Sequence, residues 1–409
     1  MKTKLFREID TMDAKTSNLN LWTPKYPELG TGPIPTEPCI SPEYYERERD
    51  LIYKKVWLHV GRVEEIPNVG DYFIKEIKIA KASVIIIRDK EGSVRAFHNV
   101  CRHRSNKVLW DEEGSCRAMT CKFHGWAYKL DGTLADVPDE DRFFDFKKED
   151  HGLIPVCVDV WAGFIFINLD PKPRETLLEY LGEIVDDLKG YPFEQMTACY
   201  AYKADLNCNW KVELDAQLEG YHAPYLHRLS AAQAFRDEDV AAFHALNYNL
   251  YSKHRTMASP YTPHELNPTE ALAAKYGGSM WVTDDEGRPE CMNPTKAKNW
   301  GFDAFSIFPN FQILLTDALY LSYNYWPTAV DRCDYEGRFF FPPAKTAGER
   351  FAHEFNLCGT LRDVQMEDMI TVELTQKAME SGVIKEFQLS DEEIMVRHSY
   401  KVIEDYVNG

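Results

Sequence analysis

The sequence predicts an α+β chain in two units, a small all-β domain over residues 40–175 and a larger domain over 176–409 in which helices pack on an antiparallel sheet. Three observations carry that reading. Short β-rich runs bounded by Gly, Asp and Lys crowd the first unit, helical spacing returns after Pro171-Lys172-Pro173, and strongly apolar strand-like runs recur beyond residue 305. A chain of 409 residues is long enough to bury two cores. Residues 1–39 are expected to pack as an N-terminal segment on the larger domain.

Ser41-Pro42 opens a helix through about Trp57, with Ser as cap, Pro in the first turn, and Tyr45, Ile52 and Val56 at helical spacing. The period then changes. Gly70 to Lys75, Ser83 to Ile87, Val94 to Phe97 and Trp161 to Ile167 read as strands. Leu177 to Leu188 reads as helical and opens the second domain, and the segment from Asn209-Trp210-Lys211 lacks strand alternation. Phe305 to Asn310, Ile313 to Leu315, Leu319 to Trp326 and Phe339 to Pro342 supply the strands of the antiparallel sheet.

Composition removes several function classes. A net charge of -18 repels phosphate backbones, so nucleic acid is not an expected partner. The ten cysteines are scattered without the dense spacing of a disulfide scaffold and are expected to be mostly free thiols in a reducing, cytoplasmic compartment. The opening MKTKLFREID is not followed by an apolar run, and the apolar stretch around Val156 to Leu169 contains Asp159 and is too short to span a bilayer, so neither export nor membrane insertion is expected.

Two boxes inside the β-rich unit carry chemistry: Cys101-Arg102-His103, then Cys121-Lys122-Phe123-His124. Each offers one thiolate and one imidazole. Two thiolates can hold one iron of a [2Fe-2S] cluster while two neutral imidazoles hold the other and raise its potential, which is a Rieske centre. Cys101 and Cys121 would take the inner iron, His103 and His124 the outer. A zinc site uses the same residue types, but its usual spacing pairs Cys with Cys and His with His. Cys116, between the boxes, occupies no ligand position.

A second constellation, Glu219-Gly220-Tyr221-His222-Ala223-Pro224-Tyr225-Leu226-His227, follows in the larger domain. Glu219 and His222 can share a helix face, whereas His227 lies about 140° round an unbroken helix. The expectation is that Pro224 breaks the helix and lets His227 swing back toward His222. Two imidazoles and one carboxylate form a facial triad that leaves positions open on Fe(II) for dioxygen and substrate. Glu219 is better placed to hydrogen-bond the far ring nitrogen of His222 than to be the third ligand.

The two boxes, with Arg104 after the first and Gly125-Trp126 after the second, resemble those of Rieske non-heme iron oxygenases. One position departs from the family pattern, which usually has Gly where this chain has Ser105. The resemblance covers essentially the whole chain and implies a helix-grip catalytic domain after the Rieske domain. Gln365-Met366-Glu367-Asp368 resembles the family's late-helix box, which places the third iron ligand at Asp368, with Glu367, Asp363 and Glu373 as alternatives. It also implies that Glu219 bridges His222 to a Rieske histidine of a neighbouring subunit, and that the chain forms a homotrimer or a dimer of trimers.

The function so implied is a terminal oxygenase. Electrons pass from the cluster to the mononuclear iron, and oxygen from O2 enters a hydrophobic, aromatic or polycyclic small molecule by hydroxylation or cis-dihydroxylation. The alternative is a monooxygenase or demethylase acting on a quaternary amine or an O- or N-methyl substrate; a Rieske electron carrier and a zinc-stabilised binding module are the non-enzyme alternatives. No Gly-x-Gly-x-x-Gly fingerprint is present, so electrons from NAD(P)H must arrive through a separate ferredoxin or flavin reductase. Around the boxes Arg102, Arg104, Lys107, Arg117, Lys122 and Lys129 outnumber Asp111, Glu112 and Glu113, which suggests a basic docking patch for an acidic donor.

Overall fold

The computed structural model describes residues 21–227, 230, 243–262, 265, 266, 268–277, 287–355 and 362–409; the first twenty residues of the expected N-terminal segment lie outside the described residues. Of that segment, Trp22 stacks edge-on against Tyr248, and Lys25 Nζ donates to the Tyr248 carbonyl at 2.9 Å. Ile34–Pro35 pairs with Glu386–Phe387 as a short antiparallel ribbon. All three contacts fall on residues beyond 176.

Ser41 caps α1 (Pro42–Glu48) by accepting from the Tyr44 N–H at 3.1 Å. The helix is shorter than its spacing suggests: it passes into a π-helical turn over Arg49–Tyr53 and then into strand β1 (Leu58–Arg62). Glu48, at the end of α1, is fully buried and pairs with the equally buried Lys211 at 2.6 Å. That pair ties the start of the β-rich unit to the helix that leads into the second constellation.

Three small antiparallel sheets follow. Strands β2 (Asp71–Ile77), β3 (Ala82–Arg88), β4 (Val94–His98) and β5 (Glu113–Ser115) form one in the order β4-β3-β2-β5. The short β6 (Met119–Thr120), β7 (Ala127–Tyr128) and β8 (Leu134–Asp136) form a second beside the ligand loops. The run from Trp161 to Ile167 is two strands rather than one. Ala162 (φ 49) and Gly163 (φ 82) both lie in the left-handed region and make a two-residue hairpin turn, so Trp161 closes β9 (Cys157–Trp161) and Phe164 opens β10 (Phe164–Asn168). With β1 they complete the third sheet.

That third sheet does not keep its side chains within the first unit. Phe164 and Phe166 of β10 and His59 of β1 pack on Phe311, whose ring stacks on His59 at 3.9 Å. Phe311 opens β15 of a seven-stranded antiparallel sheet with the order β11-β17-β16-β15-β14-β13-β12. Its strands are β11 (Ala198–Leu206), β12 (Asn247–Leu250), β13 (Arg255–Pro260), β14 (Trp300–Ile307), β15 (Phe311–Leu315), β16 (Tyr320–Ala329) and β17 (Arg332–Phe341). A smaller, separate core of Tyr72, Ile85, Phe97, Val108, Trp126 and Tyr128 encloses Cys101 and Cys121.

The helical reading over Leu177 to Leu188 resolves into α2 (Leu177–Leu181) and α3 (Ile184–Asp187), separated at Gly182 with φ 51. Against the large sheet lie α4 (Trp210–Ala216) and the C-terminal helix α7 (Ile394–Asn408); the short α5 (Ala223–Leu226) follows α4, and α6 (Arg362–Glu380) packs on α4. Among the described residues, no helix is long and apolar enough to cross a membrane.

Candidate metal centres

The two boxes fold into matching loops. In the first, the Cys101 N–H donates to the Asn106 carbonyl at 2.8 Å and the Ser105 N–H to the Cys101 carbonyl at 3.0 Å. In the second, the Cys121 N–H donates to the Trp126 carbonyl and the Gly125 N–H to the Cys121 carbonyl, each at 2.9 Å. Gly125 has φ 76, and Ser105, at the equivalent point, has φ 60. The departure from the family's glycine therefore leaves the loop path intact and puts a side chain where the backbone is left-handed.

Both thiols are buried, and burial holds Cys101 above its ordinary range in the absence of a cation. The Tyr128 hydroxyl lies 3.3 Å from Cys101 Sγ, and Asn106 Nδ2 lies 3.9 Å from Cys121 Sγ. The His103 and His124 rings meet edge-on with centroids 4.6 Å apart, and His103 stacks flat on Trp126 at 5.1 Å. Burial, with His124 and Arg104 nearby, pushes the His103 pKa down and favours the neutral ring that a metal needs. Its buried Nδ1 has no hydrogen-bond partner.

Donor spacing separates a cluster from a single ion. Tetrahedral zinc keeps all four donors within about 4 Å of one another. Among the described residues, His222, His227 and Asp368 alone bring three such donor atoms within 4.8 Å, and no three of Cys101, His103, Cys121 and His124 do. The four donors suit a group with two metal atoms better than one ion.

In the second constellation the Asn209 side chain caps α4, accepting from the Lys211 N–H at 3.0 Å. The helix stops at Ala216, before Glu219, so Glu219 and His222 do not share a helix face. Gly220 lets the chain pass close to Phe243, whose ring lies 2.6 Å from where a Cβ would stand. Pro224 breaks nothing: it sits in the first turn of α5, where a missing N–H is harmless, and His222 stands just before that helix. The expected break is real but lies at 217–222, upstream of the proline. Glu219 turns back onto His222, with Oε1 2.5 Å from Nδ1 and Oε2 accepting the His222 N–H at 3.1 Å.

His227, at the end of α5, is brought to His222 with their Nε2 atoms 3.1 Å apart. Asp368 on α6 places Oδ1 3.2 Å from His227 Nε2 and 3.6 Å from His222 Nε2. These separations match the edges of a facial set, since ligands about 2.1 Å from one ion at right angles lie about 3 Å apart. The hydrogen-bond pattern fits as well. Glu219 faces Nδ1 of His222, and Glu367 Oε2 lies 2.9 Å from Nδ1 of His227, so both Nδ1 atoms are donors and both Nε2 atoms present lone pairs to each other. Asp368 Oδ1 is buried without a partner, while Oδ2 accepts from Gln217 Nε2 at 3.2 Å. With both rings neutral, three electron-rich atoms converge, an arrangement that a cation stabilises.

The alternative third ligands take other partners, and Glu213 is the buried acid that the sequence reading missed. Glu367, weighed as an alternative ligand, is the partner of His227 and also accepts from Ser230 Oγ at 2.6 Å. Asp363 pairs with Arg362 at 2.8 Å and Glu373 accepts from Asn207, both away from the histidines. Glu213 on α4 is fully buried with neither carboxyl oxygen partnered, and burial, with the Asp368 charge adding, pushes its pKa up to about 8. A cavity of about 90 Å³ opens on the triad, walled largely by Ala216, Phe243, Met257, Phe302, Leu314 and Tyr323.

Comparison with known proteins agrees with this pairing of sites. Residues 56–155 match the model of the Rieske [2Fe-2S] domain, and residues 193–409 match that of the ring hydroxylating alpha subunit, catalytic domain. The chain is 33% identical over 196 residues to a carnitine monooxygenase oxygenase subunit of Acinetobacter baumannii, covering 46% of this chain and 50% of that protein. It is 31% identical over 198 residues to the chloroplastic choline monooxygenase of Beta vulgaris, covering 47% and 44%. These matches thus span about half the length of the curated relatives. A quaternary ammonium Rieske monooxygenase shares the fold with a TM-score of 0.76 at 20% identity, over 91% of this chain and 95% of that one. The catalytic-domain model alone spans more than half of the 409 residues, and the chain belongs to the family of ring hydroxylating alpha subunits, with a Rieske [2Fe-2S] domain ahead of its catalytic domain.

Proposed function

We propose that this chain is the terminal oxygenase of a multicomponent system and that it oxidises a small quaternary amine at a carbon next to nitrogen. The observation that carries the oxygenase reading is the convergence of His222, His227 and Asp368 on an apolar cavity. In this proposal Cys101, Cys121, His103 and His124 hold the [2Fe-2S] cluster, and the triad holds one Fe(II). When bound, the two groups supply single-electron delivery and dioxygen reduction beside the substrate.

The chain's own residues set the conditions for that chemistry. Glu219 and Glu367 fix both imidazoles with Nε2 inward. The apolar wall excludes water from the open side of the triad. Behind it, a second cavity of about 320 Å³, lined by Asp215, Glu219, His222, Leu389 and Glu393 among others, leaves Glu219 approachable from the other face. That is where a Rieske histidine of a neighbouring copy would reach it in the expected homotrimer.

The quaternary-amine reading draws on the carnitine and choline relatives and on the lining. Phe243, Phe302 and Tyr323 offer ring faces, Glu219 and Asp368 offer negative charge, and no Lys or Arg lines the cavity among the described residues. The same apolar wall favours a second reading, a neutral ring compound. For the electron donor we retain the basic patch: Lys122 lies 5.3 Å over the exposed Trp110 and Arg104 4.9 Å over the exposed Phe123. Lys107 and Lys122 already pair with Glu76 and Asp111. Charge reversal at Lys107 and Lys122 without loss of donor-dependent turnover removes this patch from the proposal.

The first experiment is anaerobic purification with a visible spectrum and metal count before and after dithionite. A reducible Rieske absorption with about three irons per chain is the expected result. Substrate-dependent oxygen uptake, with a reductase and NADH, is then compared for trimethylammonium compounds and monocyclic arenes. Uptake with arenes alone rejects the amine, and a colourless zinc protein rejects the oxygenase.

A further inference from the structure

Apart from Asp368 Oδ1, which belongs to the three-donor set, one polar side chain in the cavity wall carries an atom without a hydrogen-bond partner in the fold. Gln365 lies one turn before Asp368 on α6, so the two share a face, and both line the cavity over the triad. It is 8% exposed, and its Oε1 is buried without a hydrogen-bond partner. Gln217, the other amide in the wall, is engaged with Asp368. A buried amide oxygen left unpaired is destabilising, and apolar walls such as this one usually contain none. Such a group is tolerated where a ligand supplies the missing partner.

We propose that Gln365 anchors the substrate by accepting a hydrogen bond, so the substrate carries a hydroxyl or N–H group beside the C–H bond placed over the triad. This rests on the oxygenase reading only for the identity of the substrate cavity. It deepens the amine reading to a hydroxylated quaternary amine, because a fully alkylated ammonium has no donor of its own. On the ring reading it selects a phenol or an aromatic amine over a plain hydrocarbon. A site built around a substrate donor also discriminates sharply against the isostere lacking it, because binding the isostere seals the amide away with no partner.

The test uses two isosteric pairs on anaerobically purified holoenzyme: choline against propyltrimethylammonium, and phenol against toluene. Dissociation constants are measured by calorimetry for the natural chain, Gln365→Met and Gln365→Leu. The natural chain is expected to bind the hydroxylated member of one pair roughly 10-fold or more tighter, and both variants to bring that pair close to equality. Equal affinities in both pairs, binding of neither pair, or a preference unchanged in the variants overturns the assignment. If the phenol pair alone shows the preference, the amine reading fails while Gln365 stands. Melting temperature gives a readout independent of ligand. With metal content unchanged, removing an unpaired amide should leave melting unchanged or raise it by roughly 2–4 °C. A lower value in both variants means that the amide is paired within the fold and overturns the proposal.

Discussion

Glu367→Gln and Glu367→Leu form a graded test of the proposed triad. The Glu367 carboxylate takes the Nδ1 proton of His227 at 2.9 Å and so keeps the Nε2 lone pair directed at Asp368 and His222. A Gln side chain still offers an oxygen to that N–H but removes the negative charge that makes the ring a stronger donor to metal. A Leu side chain leaves the N–H unpaired, and the tautomer protonated on Nε2, which cannot ligate, becomes competitive. A hydrogen bond to a charged group contributes about 1.5–3 kcal/mol, which corresponds to about 10- to 100-fold in metal affinity, the range seen when such outer partners are removed. Gln should fall at the lower end and Leu at the upper.

Anaerobic titration with Fe(II), or with Co(II) for its visible bands, measures this on protein whose cluster absorption serves as an internal control. Asp363→Asn is the matched control, since that carboxylate is on the same helix and pairs with Arg362 at 2.8 Å. The reasoning is refuted if Glu367→Leu holds metal as tightly as the natural chain, or if Asp363→Asn loses as much.

Four further outcomes are expected. Glu219→Gln should leave cluster reduction by dithionite unchanged but slow reoxidation of the reduced cluster by substrate and dioxygen at least about 10-fold in stopped flow, with equal reoxidation refuting its bridging role. Lys211→Met strands the fully buried Glu48 carboxylate and should cost about 3–5 kcal/mol in urea unfolding, whereas Lys211→Met with Glu48→Gln should cost clearly less. Ser105→Val, at φ 60, should destabilise the first ligand loop by about 1–2 kcal/mol relative to Ser105→Gly; equal stabilities would mean that the left-handed position carries no strain. Glu213 has its folded pKa raised to about 8, so in the metal-free protein its contribution is intact below about pH 4.5 and is lost as pH rises toward 8. Glu213→Gln should therefore flatten the fall in stability between those limits, and an unchanged slope would show that the carboxyl is solvated.

The two metal sites differ in how much of each was legible in the sequence, and the difference is one of loop closure. Each Rieske box is a local loop: Cys101 and His103, or Cys121 and His124, lie within four positions and close on hydrogen bonds inside the same segment. Residue type and spacing therefore suffice to propose its ligands, and the domain that holds them matches the Rieske model. The triad closes across 140 positions between His227 and the α6 carboxylates, and local pattern could not rank Asp363, Glu367, Asp368 and Glu373. The Pro224 inference shows the same limit at shorter range, since a proline marks a helix boundary without saying whether it ends one helix or begins the next.

Helix α6 shows why hydrophobic periodicity was a poor guide here. Its buried stripe is Gln365, Asp368, Val372, Gln376 and Met379, three of them polar, while Met366, Ile370 and Leu374 are more than half exposed on the other side. Read by the usual rule the helix would be rotated, with Met366, Ile370 and Leu374 turned inward and Asp368 left in water. Two of the three inward polar groups have a specific task in place: Gln376 Oε1 accepts the Asn209 N–H at 3.0 Å and so secures the start of α4, and Asp368 completes the three-donor set. Asp368 Oδ1 and Gln365 Oε1 are the inward polar atoms of this stripe without a hydrogen-bond partner, and of the two residues only Asp368 faces the His222 and His227 rings. On a helix whose inward polar residues otherwise serve the fold or the three-donor set, the amide that serves neither is the residue whose partner should arrive from outside.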